Sequence, residues 1–271
     1  MANECGRLDA VLVAIGAAGG RDKAKALIVD GHVRVNGAVV RKAAFAVGAE
    51  DEVTVEASAR ERYVGRGGYK LEKALTLLPL PLSGCTAMDV GASTGGFTDC
   101  LLQNGAARVY AVDVGHGQLH PALRENPAVV NLEGTDIRRT EVLAPLLGQN
   151  PPTVCGIDVS FISLRQVLPP VLALMPMGGT LVCLIKPQFE AGRGAIGKRG
   201  VVRDPRVHET VLTDCCAAFR GLGCRLLALD FSPIRGGEGN IEYLAVLRFP
   251  ADGADIETAL PALVRRAFAE L

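Results

Sequence analysis

The feature that most limits what this chain can fold into is an alternation. From about residue 85 to residue 249, short apolar runs of strand length trade places with helix-length stretches. Strands that alternate with helices build a mainly parallel sheet, because only a crossover returns the chain to start a neighbouring parallel strand. Strands are predicted at about 85–90, 108–113, 128–132, 154–159, 180–186, 225–231 and 242–249. The link between the last two is too short for a crossover helix, so that pair should be antiparallel. A helical run ending near Leu78 precedes the first strand, and 256–271 reads as a closing helix. The expected architecture is α/β, with six mostly parallel strands and a reversed seventh. Hydrophobic residues make up 49% of the 271, which is enough apolar material for a core of that size.

Residues 1–60 differ in texture, 61–64 read as a linker, and 65–271 form the second domain. Leu8, Val11, Leu12 and Ile15 recur at helical spacing until Gly16 to Gly20 breaks the pattern. A second helix, about Arg21 to Asp30, puts Ala24, Leu27 and Ile28 on one face. Gly31 to Val40 reads as a hairpin with Asn36-Gly37 as its two-residue turn, and Val53-Thr54-Val55 has a β-branched pattern. The run Arg7-Leu8-Asp9, then Ala24, Leu27-Ile28 and Gly31-His32-Val33-Arg34-Val35-Asn36-Gly37, resembles the S4 RNA-binding domain, a small α+β module. The resemblance implies a basic RNA-facing surface on the second helix and hairpin, with Arg7, Arg21, Lys23, Lys25, Arg34, Arg41 and Lys42 as candidate contacts. Asp22 departs from it, since the family usually shows serine followed by arginine there.

Global charge excludes little. Lys+Arg and Asp+Glu both total 29, so only local clusters can mark a polyanionic partner. The eight cysteines form no C-x-x-C pair, and Cys155 and Cys183 fall inside apolar runs, as reduced core thiols do. The N-terminus lacks the basic-then-apolar layout of a signal peptide. The longest apolar stretch, Val167 to Ile185, is interrupted by Pro169, Pro170, Pro176, Gly178 and Gly179, and reads as helix, turn and buried strand. The expected setting is cytoplasmic, away from membranes.

The run Met88-Asp89-Val90-Gly91-Ala92-Ser93-Thr94-Gly95-Gly96-Phe97-Thr98 follows the first strand and opens a helix, where glycines admit a ligand and backbone N–H groups face it. Gly91 and Gly96 fit a dinucleotide fingerprint, but Ser93 stands where a pyrophosphate needs glycine. A nucleoside without phosphates has no such requirement. Asp113 ends the next strand about 20 residues on, suited to ribose hydroxyls. Asp136 follows the third strand, where it can accept from an adenine amino group. The order loop, ribose, base favours S-adenosylmethionine over NAD, with Asp89, Gly91, Ser93, Gly95, Gly96, Phe97, Asp113 and Asp136 as candidate cofactor residues.

Four polar residues should share one rim of this sheet. Asp158 ends the fourth strand and Lys186 the fifth; Glu242 begins the reversed seventh; Lys70 opens the helix before the first strand. Ligands bind at that edge of open α/β sheets. Each residue alone could be a cap, a snorkelling lysine or a surface ion pair. Together they suit methylation of a sugar hydroxyl, a weak nucleophile whose proton must be removed. Asp158 is followed by Val159-Ser160-Phe161 rather than the proline pair and aromatic of base-amino methylases, and Cys155 and Cys183 lie inside strands rather than at the rim.

This Lys-Asp-Lys-Glu set is similar to the catalytic tetrad of FtsJ-type ribose 2′-O-methyltransferases, which have the class I methyltransferase (Rossmann-like) fold. The whole chain from about residue 5 to 250 resembles the TlyA family, an S4 domain fused to an FtsJ-like domain and often labelled hemolysin A. The matching stretches include Val64 to Glu72, Asp89 to Thr98, Val112 to Leu119, Asp158 to Leu164, Ile185 to Glu190, and Ser232 to Tyr243, with Gly65 replacing a common serine. The resemblance implies S-adenosylmethionine-dependent 2′-O-methylation of ribosomal RNA, at cytidines, with naked RNA or a ribosomal subunit as partner. Arg66, and Lys198 and Arg199 in the glycine-rich stretch after Lys186, are further candidate RNA contacts. His116 and His120 are four apart, yet no third ligand is suitably spaced, so no metal is expected and both, like His208, read as helix-surface residues. A non-catalytic RNA-binding factor, a membrane-lytic protein and a small-molecule O-methyltransferase remain as alternatives.

Overall fold

The structure, a computed structural model, describes residues 6–56, 62–148, 150–192, 194, 197 and 200–271. The chain divides into two compact units, Met1–Val64 and Gly65–Leu271.

The first unit runs β1 (Gly6–Arg7), α1 (Leu8–Ala14), α2 (Arg21–Val29), β2 (Val33–Val35), β3 (Ala38–Val39), β4 (Ala46–Val47) and β5 (Val53–Val55). β2 pairs with β3 and β5, and β1 with β4. Leu8, Val11, Leu12, Ala24, Ile28, Val33, Val35 and Val55 form its core. Asn36 and Gly37 both have positive φ, 53° and 78°, as the tight hairpin turn requires. The Asn36 side chain locks that turn by donating to Asp51 (2.7 Å) and accepting from the Glu52 amide (2.9 Å). One expectation fails locally: Ile15 is exposed, because α1 stops at Ala14 and Gly16 (φ 69°) turns the chain so that Ala18 is buried instead.

The second unit runs α3 (Gly67–Leu77), β6 (Thr86–Val90), α4 (Gly96–Gln103), β7 (Arg108–Asp113), α5 (Pro121–Arg124), β8 (Val129–Glu133), α6 (Thr140–Leu147), β9 (Val154–Ile157) and α7 (Leu164–Leu174). It continues with β10 (Gly179–Ile185), α8 (Pro187–Glu190), α9 (Pro205–Gly221), β11 (Arg225–Phe231), β12 (Tyr243–Phe249) and α10 (Leu260–Glu270). The seven strands lie in the order β11-β12-β10-β9-β6-β7-β8, and β12 is antiparallel to both neighbours. The C-terminal ends of β6, β7, β9 and β10 therefore share an edge with the start of β12. β10 is buried along its whole length, so its apolar run needs no alternation.

Two boundaries differ from expectation. α7 continues through Pro169 and Pro170. The amides these prolines lack would have bonded to carbonyls of Arg165 and Gln166, exposed residues that water can serve. The closing helix begins at Leu260 rather than Ile256, with Pro261 in its first turn, because the preceding segment is held alongside β11: Asp255 accepts from the Leu226 amide (2.7 Å) and the Ile256 amide donates to the Leu226 carbonyl (3.1 Å).

Candidate active site

A cavity of about 530 Å³ opens at the C-terminal edge of the sheet, lined by Gly91, Ser93, Asp113, Asp136, Asp158 and Phe161 among others. Its floor is the turn from β6 into α4. Gly91 has φ 85°, and a Cβ there would stand 2.6 Å from the Asp158 carbonyl oxygen, so neither the conformation nor the space admits a side chain. Gly91→Ala is accordingly expected to cost about 1–3 kcal/mol of stability, read from denaturant melts. Asp113 braces the turn from the adjoining strand: one carboxylate oxygen accepts from the Ser93 amide (2.8 Å), the other from the Gly115 amide (2.7 Å). Asp136 is gripped by the Arg138 guanidinium at 2.6–3.1 Å, which holds its carboxyl below the ordinary range.

Four of the residues expected at the cofactor do not line the cavity. Asp89 is fully buried beneath the turn, where one oxygen accepts from the Thr98 amide (2.8 Å) and hydroxyl (2.7 Å). Burial pushes its carboxyl up to about 7 against those bonds. Phe97 is buried against Gly156 and Gly67. Gly96 faces the start of α3, where a Cβ would lie 2.8 Å from the Gly68 nitrogen, and Gly95 (φ 94°) backs onto Leu119 and Leu123. These residues shape the turn from behind, a distinction that a linear motif hides.

Beside the cavity the four rim residues meet in one cluster. Lys186 Nζ lies 2.6 Å from Asp158 Oδ1; Lys70 Nζ lies 3.3 Å from Asp158 Oδ2 and 2.7 Å from Glu242 Oε2. Lys70 and Lys186 are each 7% exposed and Glu242 2%, so the two ammonium and two carboxylate groups compensate one another away from water. Burial opposes ionisation of both Asp158 and Lys70, but the charges around them win. Lys186 and Lys70 hold the Asp158 carboxyl below its ordinary pKa, and Asp158 with Glu242 raises that of Lys70.

The sequence reading did not single out Ser160, whose hydroxyl accepts from Lys186 (3.1 Å). Nor did it find Glu133, which anchors the turn after Asp113 by accepting from the Gln118 (2.5 Å) and Leu119 (3.0 Å) amides. Glu133 ends β8 as Asp113 ends β7, and that register was the available signal.

Residues 63–249 match the FtsJ-like methyltransferase family, and residues 6–53 match the S4 domain. The chain belongs to the FtsJ-like methyltransferases. Among relatives of this methyltransferase, the 16S/23S rRNA (cytidine-2′-O)-methyltransferase TlyA of Mycobacterium tuberculosis is 39% identical over 270 residues, covering 97% of each chain. Hemolysin A of Brachyspira hyodysenteriae is 39% identical over 239 residues, 88% of this chain and 98% of that one. A solved Streptococcus thermophilus structure, described as a hemolysin, superposes with a TM-score of 0.75 at 40% identity, covering 99% and 98% of the two chains. No helix among the described residues is long and apolar enough to cross a membrane.

The methyltransferase's candidate RNA contacts have mixed positions. Arg7 binds Asp9 through two bonds of 3.0 Å, and Arg21 approaches the same carboxylate at 3.6 Å. Both arginines remain more than half exposed, so each keeps donors on the surface. Arg41 caps α2 through the Val29 carbonyl (2.6 Å), Arg34 bonds to Gly37 and Glu56, and Lys25 pairs with Asp22. Lys23 and Lys42 lie on the exposed surface of the S4 unit. Arg66 donates to the Arg235 carbonyl (2.9 Å), and Lys198 and Arg199 lie outside the described residues.

The histidine readings need correction. His116 and His120 sit in the turn between β7 and α5, and His120 caps α5 rather than lying on a helix surface. His208 is wholly buried. Its Nε2 donates to the Val202 carbonyl (3.0 Å), which leaves Nδ1 to accept from the Tyr243 hydroxyl (2.9 Å).

Proposed function

We propose that this enzyme uses S-adenosylmethionine to methylate a ribose 2′-hydroxyl of ribosomal RNA, cytidine favoured. The observation that carries the reading is the buried Lys70–Asp158–Lys186–Glu242 cluster beside a cavity that suits a cationic nucleoside. Among the described residues that line the cavity, three are acidic (Asp113, Asp136 and Asp158) and one, Arg138, is basic, a poor host for a pyrophosphate and a good one for a sulfonium. Its volume is within the roughly 300–1,000 Å³ usual for small-molecule sites. Each Asp113 oxygen, already holding one amide, keeps a lone pair for a ribose hydroxyl. Asp136, oriented by Arg138, is placed for the base, and Gly91 admits the ligand close to the backbone. S-adenosylmethionine, when bound, supplies a methyl group on a positively charged sulfur.

The remaining work falls to the cluster. Lys186, reacting as the free amine, takes the proton of the 2′-hydroxyl, with Asp158 and Ser160 fixing its position. Lys70 keeps its charge and, with Glu242, holds Asp158 in place from behind. Much of the acceleration then comes from positioning a hydroxyl that would otherwise have to be aligned from solution. The S4 unit supplies sequence-independent grip on RNA through its exposed basic side chains.

The deciding experiment is transfer of labelled methyl from S-adenosylmethionine to purified ribosomal subunits, followed by nucleoside analysis. A 2′-O-methylated nucleoside is the expected product, and a methylated base would overturn the role given to the cluster. Removing residues 1–60 should weaken binding to ribosomal RNA by about 10²-fold or more at moderate salt and flatten its salt dependence. Undiminished affinity would rule out the S4 unit as the RNA grip.

A further inference from the structure

Two turns carry the reacting lysine and its carboxylate: Asp158 to Ser163 after β9, and Lys186 to Glu190 after β10. They are joined at both ends. At the near end stands the Lys186–Asp158 pair. At the far end Glu190 Oε2 accepts from the Ser163 hydroxyl (2.6 Å) and Oε1 from the Leu164 amide (2.7 Å). Between the ends lie the bond from Lys186 to Ser160 (3.1 Å) and the tilted contact of the Phe161 and Phe189 rings, whose centroids are 5.1 Å apart.

Glu190 also does what an ordinary helix cap does, since Ser163 and Leu164 begin α7. That task is partly covered without it, because the Ser163 hydroxyl oxygen accepts from the Arg165 amide (3.2 Å). What an ordinary cap would not do is come from the chain leaving Lys186. The turn it closes is strained: Phe161 has φ 65°, uncommon for a bulky residue, and the residue is 92% exposed, so burial does not hold the conformation. With the second anchor gone, the Asp158–Ser163 turn can relax, carrying Ser160 and Asp158 away from the Lys186 amine.

We infer that Glu190 is a positioning residue: a carboxylate latch that zips these two turns together and so sets the place of the Lys186 amine between Asp158 and Ser160. This rests on the role proposed above for Lys186. A displacement of about 1 Å at a reacting group costs on the order of 10²-fold in rate, and that is the expected loss of kcat in Glu190→Ala. Glu190→Gln keeps an acceptor for the Leu164 amide and offers an NH₂ donor to the Ser163 oxygen, so it should recover most of the rate.

The test measures kcat and KM on ribosomal subunits for Glu190→Ala and Glu190→Gln, with S-adenosylmethionine affinity by calorimetry. Expected are a fall in kcat for Ala, an affinity changed by less than about 3-fold, and rescue by Gln. The ¹³Cε resonance of Lys186, assigned by its loss in Lys186→Arg, is recorded in the same proteins without cofactor or RNA. It should move in Glu190→Ala and return in Glu190→Gln. An unchanged kcat, a Gln variant as damaged as Ala, or a fall in cofactor affinity matching the fall in kcat would overturn the latch. If the wild-type protein transfers no methyl group to ribosomal RNA, the functional reading fails by itself. The Lys186 resonance then decides the latch: unmoved in Glu190→Ala, it overturns the inference, and moved, it supports it.

Discussion

Lys186→Ala should lower methyl transfer by about 10²–10⁴-fold, the usual contribution of a positioned general base, while S-adenosylmethionine affinity stays close to wild type. The two effects separate because Lys186 contacts Asp158, Ser160 and the Phe189 ring, and is absent from the cavity lining. Removing one partner of a buried pair usually leaves an uncompensated charge. Here Asp158 keeps Lys70 at 3.3 Å, so the variant should fold, with a lowered melting temperature. Lys70 is a poor substitute as the base: against burial, Asp158 and Glu242 raise its pKa, so its proton is held more firmly than in an ordinary lysine. The same reasoning fixes the pH dependence. Against burial, Lys186 and Lys70 hold the Asp158 carboxyl below its ordinary range, so it stays ionised through neutral pH and the rate should fall only in acid, as Asp158 takes up a proton. Lost cofactor binding with residual transfer in Lys186→Ala would assign Lys186 to the cofactor instead.

The architecture could be anticipated because it rests on patterns that a sequence states outright. Apolar runs the length of a strand, separated by helices, leave a parallel sheet as the main solution, and the short link before β12 reverses the last strand. The rim residues were legible for a related reason: strand ends are where such sheets present side chains, and Asp158, Lys186 and Glu242 all flank strand termini. What stayed hidden depends on contacts between distant segments. Nothing in the glycine-rich run tells which glycine faces the cavity and which faces a helix; Gly96 is set by the approach of α3 and Gly91 by Asp158. Glu133 and Glu190 look like ordinary surface acids until the turns they bind are in place. His208 reads as one more polar residue near a helix start until Val202 and Tyr243 close around it.

Asp113→Ala should do the reverse of Lys186→Ala, weakening S-adenosylmethionine binding on the order of 10²-fold or more while kcat at saturating cofactor changes little. Two hydrogen bonds to a charged acceptor, each worth about 1.5–3 kcal/mol, set that scale. Part of the loss is indirect. Without the carboxylate, the Ser93 and Gly115 amides lose their acceptor, and the walls that those residues form are less well fixed. Asp113→Asn separates the two contributions. Its amide oxygen can still serve one backbone N–H, whereas its NH₂ faces the other as donor against donor, so affinity should fall between wild type and Ala. Calorimetry with S-adenosylmethionine alone reads all three proteins without any RNA. Wild-type affinity in Asp113→Ala would mean that the ribose is held elsewhere, and the cavity would then have to be reassigned around Asp136 and Arg138.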